Sequence, residues 1–237
     1  VILNSPSNPT GATYSRDELV RLAAVLEKRD IAIISDDIYE SIVYDGRTFT
    51  NTANLSDELF KKTIVLNGVS KAYSMTGWRI GYMAGDAEVI KKVEILQSQS
   101  TSNPTSISQW ASVDALIGDQ SVITAMVEAF DRRRRLIVDG LNSAPGISCL
   151  MPEGAFYAFP NIRGVEKLKG WKAVKDKYEG PSISSALTSY LLEVAQVAVV
   201  PGVEFGNDDN IRLSFATSDE NIRKGVERIK AALEKLA

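Results

Sequence analysis

The stretch GVSKAYSMTGWRIG, residues 68–81, decides how this sequence is interpreted. It follows TIVLN at 63–67, a β-branched apolar run that predicts a buried strand. Lys71 therefore stands just beyond a strand end, with Ser70 beside it and Arg79 later in the same stretch. The residues around the lysine are mostly small, so its surroundings can be tight. A lysine in such a setting, with another cation near it, can act as a nucleophile toward a carbonyl group.

Three other segments have the pattern of strands in an open α/β sheet: Val1–Leu3, IAIIS at 31–35 and RIGYMAG at 79–85. A helix is predicted after the first of them, because Ser15 is followed three residues later by Glu18, as in a capping box. Strands that alternate with helices and loops predict a mostly parallel sheet with helices on both faces.

The second half of the chain predicts a smaller α+β domain. A helical pattern begins at Asp86, breaks at SNPT (102–105) and continues from Ile107 to Leu141 with a bend near Gly118. We therefore predict a partial large domain over residues 1–118 and a C-terminal domain, with its long connecting helix, over 119–237. In the C-terminal domain we expect a two-stranded hairpin in ISCLMPEGAFYAFPNI that turns at 152–154, strands in VAVVPG and NIRLSFA, helices near 184–195 and 219–236, and a mobile loop or short helix at 163–181.

Composition excludes several classes of function. The 237 residues carry a net charge of −3, which does not favour nucleic acid or an anionic membrane as a partner. The absence of histidine excludes His-based metal sites and Ser-His-Asp or Cys-His nucleophiles. A single cysteine, Cys149, is expected to be a buried small hydrophobe, and it fits a reducing, cytoplasmic compartment. The basic run DRRRR (131–135) is flanked by acidic residues and is expected to form a solvated helix face.

Polar residues gather at the predicted strand ends, where open α/β sheets bind their ligands. Four of them are Asn8, Asp36, Tyr39 and Lys71. Asp36 and Asp37 are adjacent, and strand alternation sends them to opposite faces, so they are poorly placed to share a proton or a metal. A helix N-cap is the alternative role for either carboxylate. Asn8-Pro9 is predicted to be a cis peptide in a tight turn.

Four blocks in register resemble the signature segments of the fold-type I pyridoxal-phosphate aminotransferases, nearest to the bacterial aspartate/aromatic branch of class I: NSPSNPTG, SDDIYE, NGVSKAYSMTGWRIGY and NIRLSFA. The resemblance implies that the cofactor is pyridoxal 5'-phosphate and that Lys71 forms the Schiff base with it. Asp36 would pair with the pyridine nitrogen, and Tyr39 and Asn8 would hydrogen-bond the phenolic oxygen of the ring.

The same resemblance assigns the remaining site residues. Ser70 and Arg79 would bind the cofactor phosphate, and Arg212 would hold the substrate α-carboxylate with a bidentate fork. Arg212 is then expected within about 15 Å of Lys71, since a substrate of a few atoms must touch both. The substrates implied are an amino acid, aspartate or glutamate first and aromatic second, and a 2-oxo acid. The resemblance also implies a homodimer.

The resemblance covers only the later three-fifths of such an enzyme. The chain opens on Val1 without an initiator Met, and we expect it to be part of a longer polypeptide. The segment that normally precedes NPTG supplies a phosphate loop, a stacking aromatic residue and side-chain specificity, so the activity of the isolated chain is open. Two alternatives keep the same residues: a carbon–sulfur lyase and the aminotransferase-like effector-binding domain of a transcription regulator.

Overall fold

The computed structural model describes residues 1–178 and 182–237 and divides into two compact units. The longest segment of the first unit ends at Val127. The predicted domain boundary at residue 118 stays a prediction. The first unit comprises residues 1–7, 12–127 and 153–155, and the second comprises 8–11, 128–152 and 156–237.

The first unit is built on a four-stranded sheet of order β1-β2-β3-β4. β1, β2 and β3 are mutually parallel, and β4 closes the sheet antiparallel to β3. The predicted mostly parallel α/β sheet is therefore confirmed. The strands are β1 (Ile2–Asn4), β2 (Ile33–Asp36), β3 (Thr63–Gly68) and β4 (Gly81–Ala84).

Side chains cap the start of several helices of the first unit, at Ser15, Ser56 and Asp86. Ser15 and Glu18 form the predicted capping box at α1. Side chains from α1, α2, β1 and β2 make one apolar cluster on one face of the sheet: Leu3, Ala23, Leu26, Ile33 and Leu59. The helices are α1 (Arg16–Leu26), α2 (Asp57–Lys62), α3 (Ala87–Ser100) and α4 (Ser106–Ile117), and α5 (Ser121–Asn142) carries the chain into the second unit.

The predicted tract 107–141 is two helices, because Gly118 ends α4 before α5 begins. No residue of α3 is buried, and its Leu96 is 72% exposed. Within the described residues, no helix is long and apolar enough to cross a membrane.

The second unit holds an antiparallel three-stranded sheet of order β5-β7-β6. Buried apolar side chains of α5, β7 and α8 form its core, among them Ile137, Leu141, Ile211, Ile229 and Leu233. The elements are β5 (Tyr157–Ala158), α6 (Trp171–Lys177), α7 (Ile183–Tyr190), β6 (Val200–Pro201), β7 (Ile211–Ser214) and α8 (Asp219–Glu234). A π-helical turn, Leu191–Ala195, extends α7.

Two local predictions in this half change. The predicted hairpin at 147–162 is wrong: Ser148 and Asn161 form an isolated bridge, and Glu153–Ala155 belongs to the first unit, where Tyr44 N–H donates to the Glu153 carbonyl. The predicted loop at 163–181 contains a 3₁₀ turn and α6, while residues 179–181 lie outside the described residues.

Candidate functional site

The carboxyl ends of β2 and β3 bring two predicted site residues to one edge of the sheet. Asp36 is the last residue of β2 and is in register with Leu66 of β3. Lys71 lies in the turn that follows Gly68, the last residue of β3. Because the strands are parallel, their carboxyl ends share an edge, which is where open α/β sheets bind ligands.

The Asp36 carboxylate is half-buried and hydrogen-bonded on both oxygens. Asn4, its register partner at the end of β1, donates through Nδ2 to Oδ2 at 3.1 Å, and Ile38 N–H donates to Oδ1 at 3.4 Å. These contacts fix the direction of the carboxylate. Asn4 was missed in the sequence, although its place at the end of a predicted strand was a signal.

Asp37 has different surroundings, as strand alternation predicts. It is 2% exposed, accepts a hydrogen bond from Ser35 Oγ at 2.7 Å and accepts another from Asn51 Nδ2. Burial raises the pKa of the Asp37 carboxyl, while the hydrogen bonds from Ser35 and Asn51 act in the opposite direction. The helix N-cap alternative is wrong for both carboxylates, because the chain forms a turn at 38–41.

Tyr39 and Lys71 come together at the same edge. Tyr39 is 4% exposed, and the Lys71 Nζ lies 5.9 Å from the centroid of its ring. Lys71 and Ser70 are half-buried, and Ala72 is buried. Lys71 therefore lies beside one aromatic ring and is partly shielded from solvent, but the small residues Ser74, Thr76 and Gly77 that follow it are exposed, so they do not enclose it.

The loop between Lys71 and β4 contains two non-glycine residues with left-handed backbone, Ser74 (φ 54°) and Arg79 (φ 56°). Such residues are uncommon and cluster at functional sites. Arg79 is exposed, and its Nη1 donates to the Thr76 carbonyl at 3.0 Å within the loop. The phosphate-binding roles of Ser70 and Arg79 stay predictions.

In the second unit, Arg212 and Asn8 are in direct contact. Arg212 Nη1 donates to Asn8 Oδ1 at 2.8 Å. The Asn8-Pro9 peptide is cis, as predicted, and Ser5-Pro6 is also cis. The Arg212 guanidinium carbon lies 4.6 Å from the ring centroid of Tyr157 and 4.9 Å from that of Phe205. Neither ring was identified in the sequence, since nothing local marks them as neighbours of Arg212.

The chemistry of the first unit's donor set fits pyridoxal 5'-phosphate. Lys71 would supply an amine for the aldehyde, and Asp36 would supply an oriented carboxylate for the ring nitrogen. Tyr39 supplies a phenol, and Ser70 supplies a hydroxyl group. All four lie at or just beyond the carboxyl ends of β2 and β3.

The arginine run is not the uniformly solvated helix face that the sequence predicts. Arg132 and Arg133 both pair with Asp219 at the start of α8. Arg134 is fully buried, donates through Nη1 to the Pro152 carbonyl at 2.8 Å and pairs with Asp131. Because consecutive residues of a helix point in different directions, Arg134 faces the core.

Cys149 is buried beside the Ser148 bridge, and burial raises the pKa of its thiol to about 11. A thiol with so high a pKa is a poor nucleophile at neutral pH. Over residues 1–178 and 182–237, no group of three or more acidic or cysteine side chains is arranged to hold a metal ion.

A family model described as aminotransferase class I and II matches residues 1–229. The chain belongs to this aminotransferase family. It is 49% identical over 234 residues to an aspartate/prephenate aminotransferase of Nitrosomonas europaea, covering 98% of this chain and 58% of that protein. It is 45% identical over 235 residues to an aspartate aminotransferase of Bacillus subtilis, covering 99% of this chain and 57% of that protein.

The fold of this aminotransferase chain matches solved structures equally well. The crystal structure of the aspartate aminotransferase from Rhizobium meliloti superposes with a TM-score of 0.91 at 46% identity, covering all of this chain and 58% of that one. The chain thus spans somewhat more than half the length of the relatives it matches.

Proposed function

We propose that the whole protein is a pyridoxal-phosphate-dependent aminotransferase that moves an amino group between an amino acid and a 2-oxo acid. The observation that carries this proposal is the placement of Asp36 and Lys71 at one carboxyl edge of parallel strands, with Tyr39 against the lysine. Membership of the aminotransferase family supports it. The names of the relatives, which are aminotransferases, favour this activity over the lyase and regulator alternatives.

The first unit would hold the cofactor. Lys71 would carry it on its amine, Asp36 would pair with the ring nitrogen, and Tyr39 would hydrogen-bond the phenolic oxygen. Ser70 and Arg79 would bind its phosphate. When bound, the cofactor supplies an electron sink for the carbanion that forms at the substrate Cα.

Side chains of this chain would then transfer the proton and bind the substrate. The Lys71 amine takes the proton from the substrate Cα, for which a general base must lie within hydrogen-bond reach. The Arg212 guanidinium binds the substrate α-carboxylate through two N–H groups. Holding that carboxylate sets which Cα bond faces the cofactor, so orientation favours proton loss over decarboxylation. Asn8 holds Arg212 and would also reach the phenolic oxygen of the ring.

The role of Lys71 has a direct chemical test. The whole protein, loaded with pyridoxal phosphate and reduced with borohydride, is expected to carry the cofactor on the peptide that contains Lys71, detected by mass spectrometry. Lys71→Ala is expected to lose this adduct and at least about 10³-fold in kcat, since the amine is both the attachment point and the base. Lys61→Ala, which removes an exposed lysine on α2, is the matched control and should keep both.

An equal adduct in Lys71→Ala would show that the cofactor is held elsewhere and would overturn the proposal. Turnover of 2-oxo acids without pyruvate release from cystathionine would separate the aminotransferase from a lyase.

We further propose aspartate or glutamate, with 2-oxoglutarate, as the first substrates and aromatic amino acids as the second. The relatives named aspartate aminotransferase support this order. We also propose that the whole protein is a homodimer and is located in the cytoplasm.

A further inference from the structure

Arg212 is surrounded by groups that restrain its guanidinium in two ways. The hydrogen bond from Nη1 to Asn8 Oδ1 takes one of its five N–H donors. The rings of Tyr157 and Phe205 lie 4.6 and 4.9 Å from its central carbon, within the range in which an aromatic face attracts a cation. A hydrogen bond sets the direction of the group in its plane, and ring contacts restrict the tilt of that plane.

The sheet of the second unit explains why these rings meet Arg212. Tyr157 on β5 is in register with Ser214, which is two residues from Arg212 and on the same face of β7. Tyr157 is therefore a diagonal cross-strand neighbour of Arg212, within reach of long side chains. On the other side, Val200 of β6 pairs with Arg212, and the 3₁₀ turn that follows β6 ends at Phe205.

Both rings are themselves held in place. Tyr157 is 7% exposed and contacts the ring of Phe156, with centroids 4.8 Å apart. Phe205 meets Phe159 edge to face at 6.1 Å. Because neighbouring side chains restrain the two rings, the rings can in turn restrain the Arg212 guanidinium.

We propose that Tyr157 and Phe205 are positioning residues, which hold the Arg212 guanidinium ready to bind a carboxylate of the substrate. This inference rests on the proposed function, because it assumes that Arg212 binds the substrate. An arginine side chain has many rotamers, so binding normally costs it conformational entropy. A guanidinium that is already ordered loses less of that entropy when the carboxylate binds. Neither ring needs to touch the reacting atoms.

The test measures binding of maleate, an unreactive dicarboxylate, to the cofactor-loaded whole protein by calorimetry. Tyr157→Leu and Phe205→Leu are each expected to raise the Kd of maleate about tenfold, because the ring faces that hold the guanidinium are lost. The ring-retaining variants Tyr157→Phe and Phe205→Tyr are expected to stay within about threefold of wild type. With aspartate as substrate, the leucine variants should raise KM by a similar factor and change kcat by less than about threefold, since substrate and transition state lose the contact equally.

Controls separate this role from general stability. Tyr178→Leu removes another tyrosine ring of the second unit that contacts a cation, Lys177, and it should leave the Kd of maleate unchanged. Phe205 is half-buried, so Phe205→Leu keeps the test available if Tyr157→Leu does not fold. Equal losses in the leucine, ring-retaining and Tyr178→Leu variants would mean a merely structural role and would overturn the inference.

Arg212→Leu distinguishes the two levels of the proposal. If it abolishes maleate binding while the leucine variants at 157 and 205 bind like wild type, the inference fails and the proposed role of Arg212 stands. If Arg212→Leu binds maleate like wild type, the assignment of the carboxylate to Arg212 fails, and the positioning role fails with it.

Discussion

At the scale of single residues, two adjacent aspartates have different burial and different hydrogen-bond partners. Asp36 is half-buried at the strand end, with its carboxylate directed by Asn4. Asp37 is enclosed, and its carboxylate accepts hydrogen bonds from Ser35 and Asn51. The first lies at the carboxyl edge of the sheet, and the second links the end of β2 to Asn51, which caps the 3₁₀ turn Thr52–Leu55.

Burial of Asp37 predicts a pH dependence of stability. Because its pKa is raised in the folded state, the folded protein binds the proton more tightly than the unfolded chain. The free energy of unfolding of wild type relative to Asp37→Asn should therefore fall as pH rises above the ordinary carboxyl pKa of 3.8, and level off above the raised folded pKa. Urea unfolding of both proteins between pH 3.5 and about 7 measures this difference.

Asp219 provides a control of opposite sign. Its hydrogen bonds with Arg132 and Arg133 lower the pKa of its carboxyl to about 2. The stability of wild type relative to Asp219→Asn should be fully present above the unfolded pKa of 3.8 and be lost as pH falls toward 2. A flat or rising profile for the Asp37 pair would contradict the assignment of burial as the dominant cause.

At the scale of elements, α5 carries consecutive arginines that the helix places on different faces. Arg134 and Arg135 both pair with Asp131, which precedes them on the helix by three and four residues. Arg134 is fully buried and also donates to the Pro152 carbonyl, whereas the Arg135 side chain is 55% exposed. The two neighbours therefore form a matched pair that differs in burial.

Arg134→Leu is expected to lower the free energy of unfolding by about 1–3 kcal/mol, because the buried Pro152 carbonyl loses its donor. Arg135→Leu removes an exposed ion pair with the same aspartate and should cost less than about 0.5 kcal/mol. Urea denaturation of the two variants beside wild type measures the difference. Equal costs would show that burial of Arg134 contributes nothing beyond its ion pair.

At the scale of the whole molecule, large apolar side chains are left on the surface of the first unit. Leu96 on α3 and Trp110 on α4 are each 72% exposed, and Ile117 is 78% exposed. The relatives that this chain matches are longer, and the chain spans 58% and 57% of the length of two of them.

Substrate preference is a property of the whole molecule. A dicarboxylate substrate needs a second cation for its distal carboxylate, because burying that carboxylate without a cation is costly in free energy. We expect kcat/KM of the whole protein for aspartate to exceed that for alanine and phenylalanine by roughly 10²-fold or more, as a distal ion pair would provide. Steady-state kinetics with 2-oxoglutarate as the acceptor measures the ratios. A preference for alanine or phenylalanine by the same margin would refute the aspartate assignment and leave the aminotransferase proposal intact.

Local patterns were enough for much of the fold and for part of the candidate site. β-branched runs located β1, β2 and β3, Ser15 and Glu18 located the start of α1, and the block around Lys71 indicated its chemistry. These features depend on residues close together in sequence. The hairpin at 147–162 failed because tertiary pairing of Glu153–Ala155 with the first unit overrides a local turn pattern.

The sequence by itself determined the parallel strands, the capped helix and the position of Lys71 beyond a strand end. Only the tertiary structure decided that Asn4 donates to Asp36, that Arg134 is buried while Arg135 is exposed, and that the rings of Tyr157 and Phe205 lie beside Arg212. Strand and helix periods are set by neighbours along the chain. Contacts between residues far apart in sequence depend on strand register and side-chain packing, which exist only once the sheet and helices have assembled.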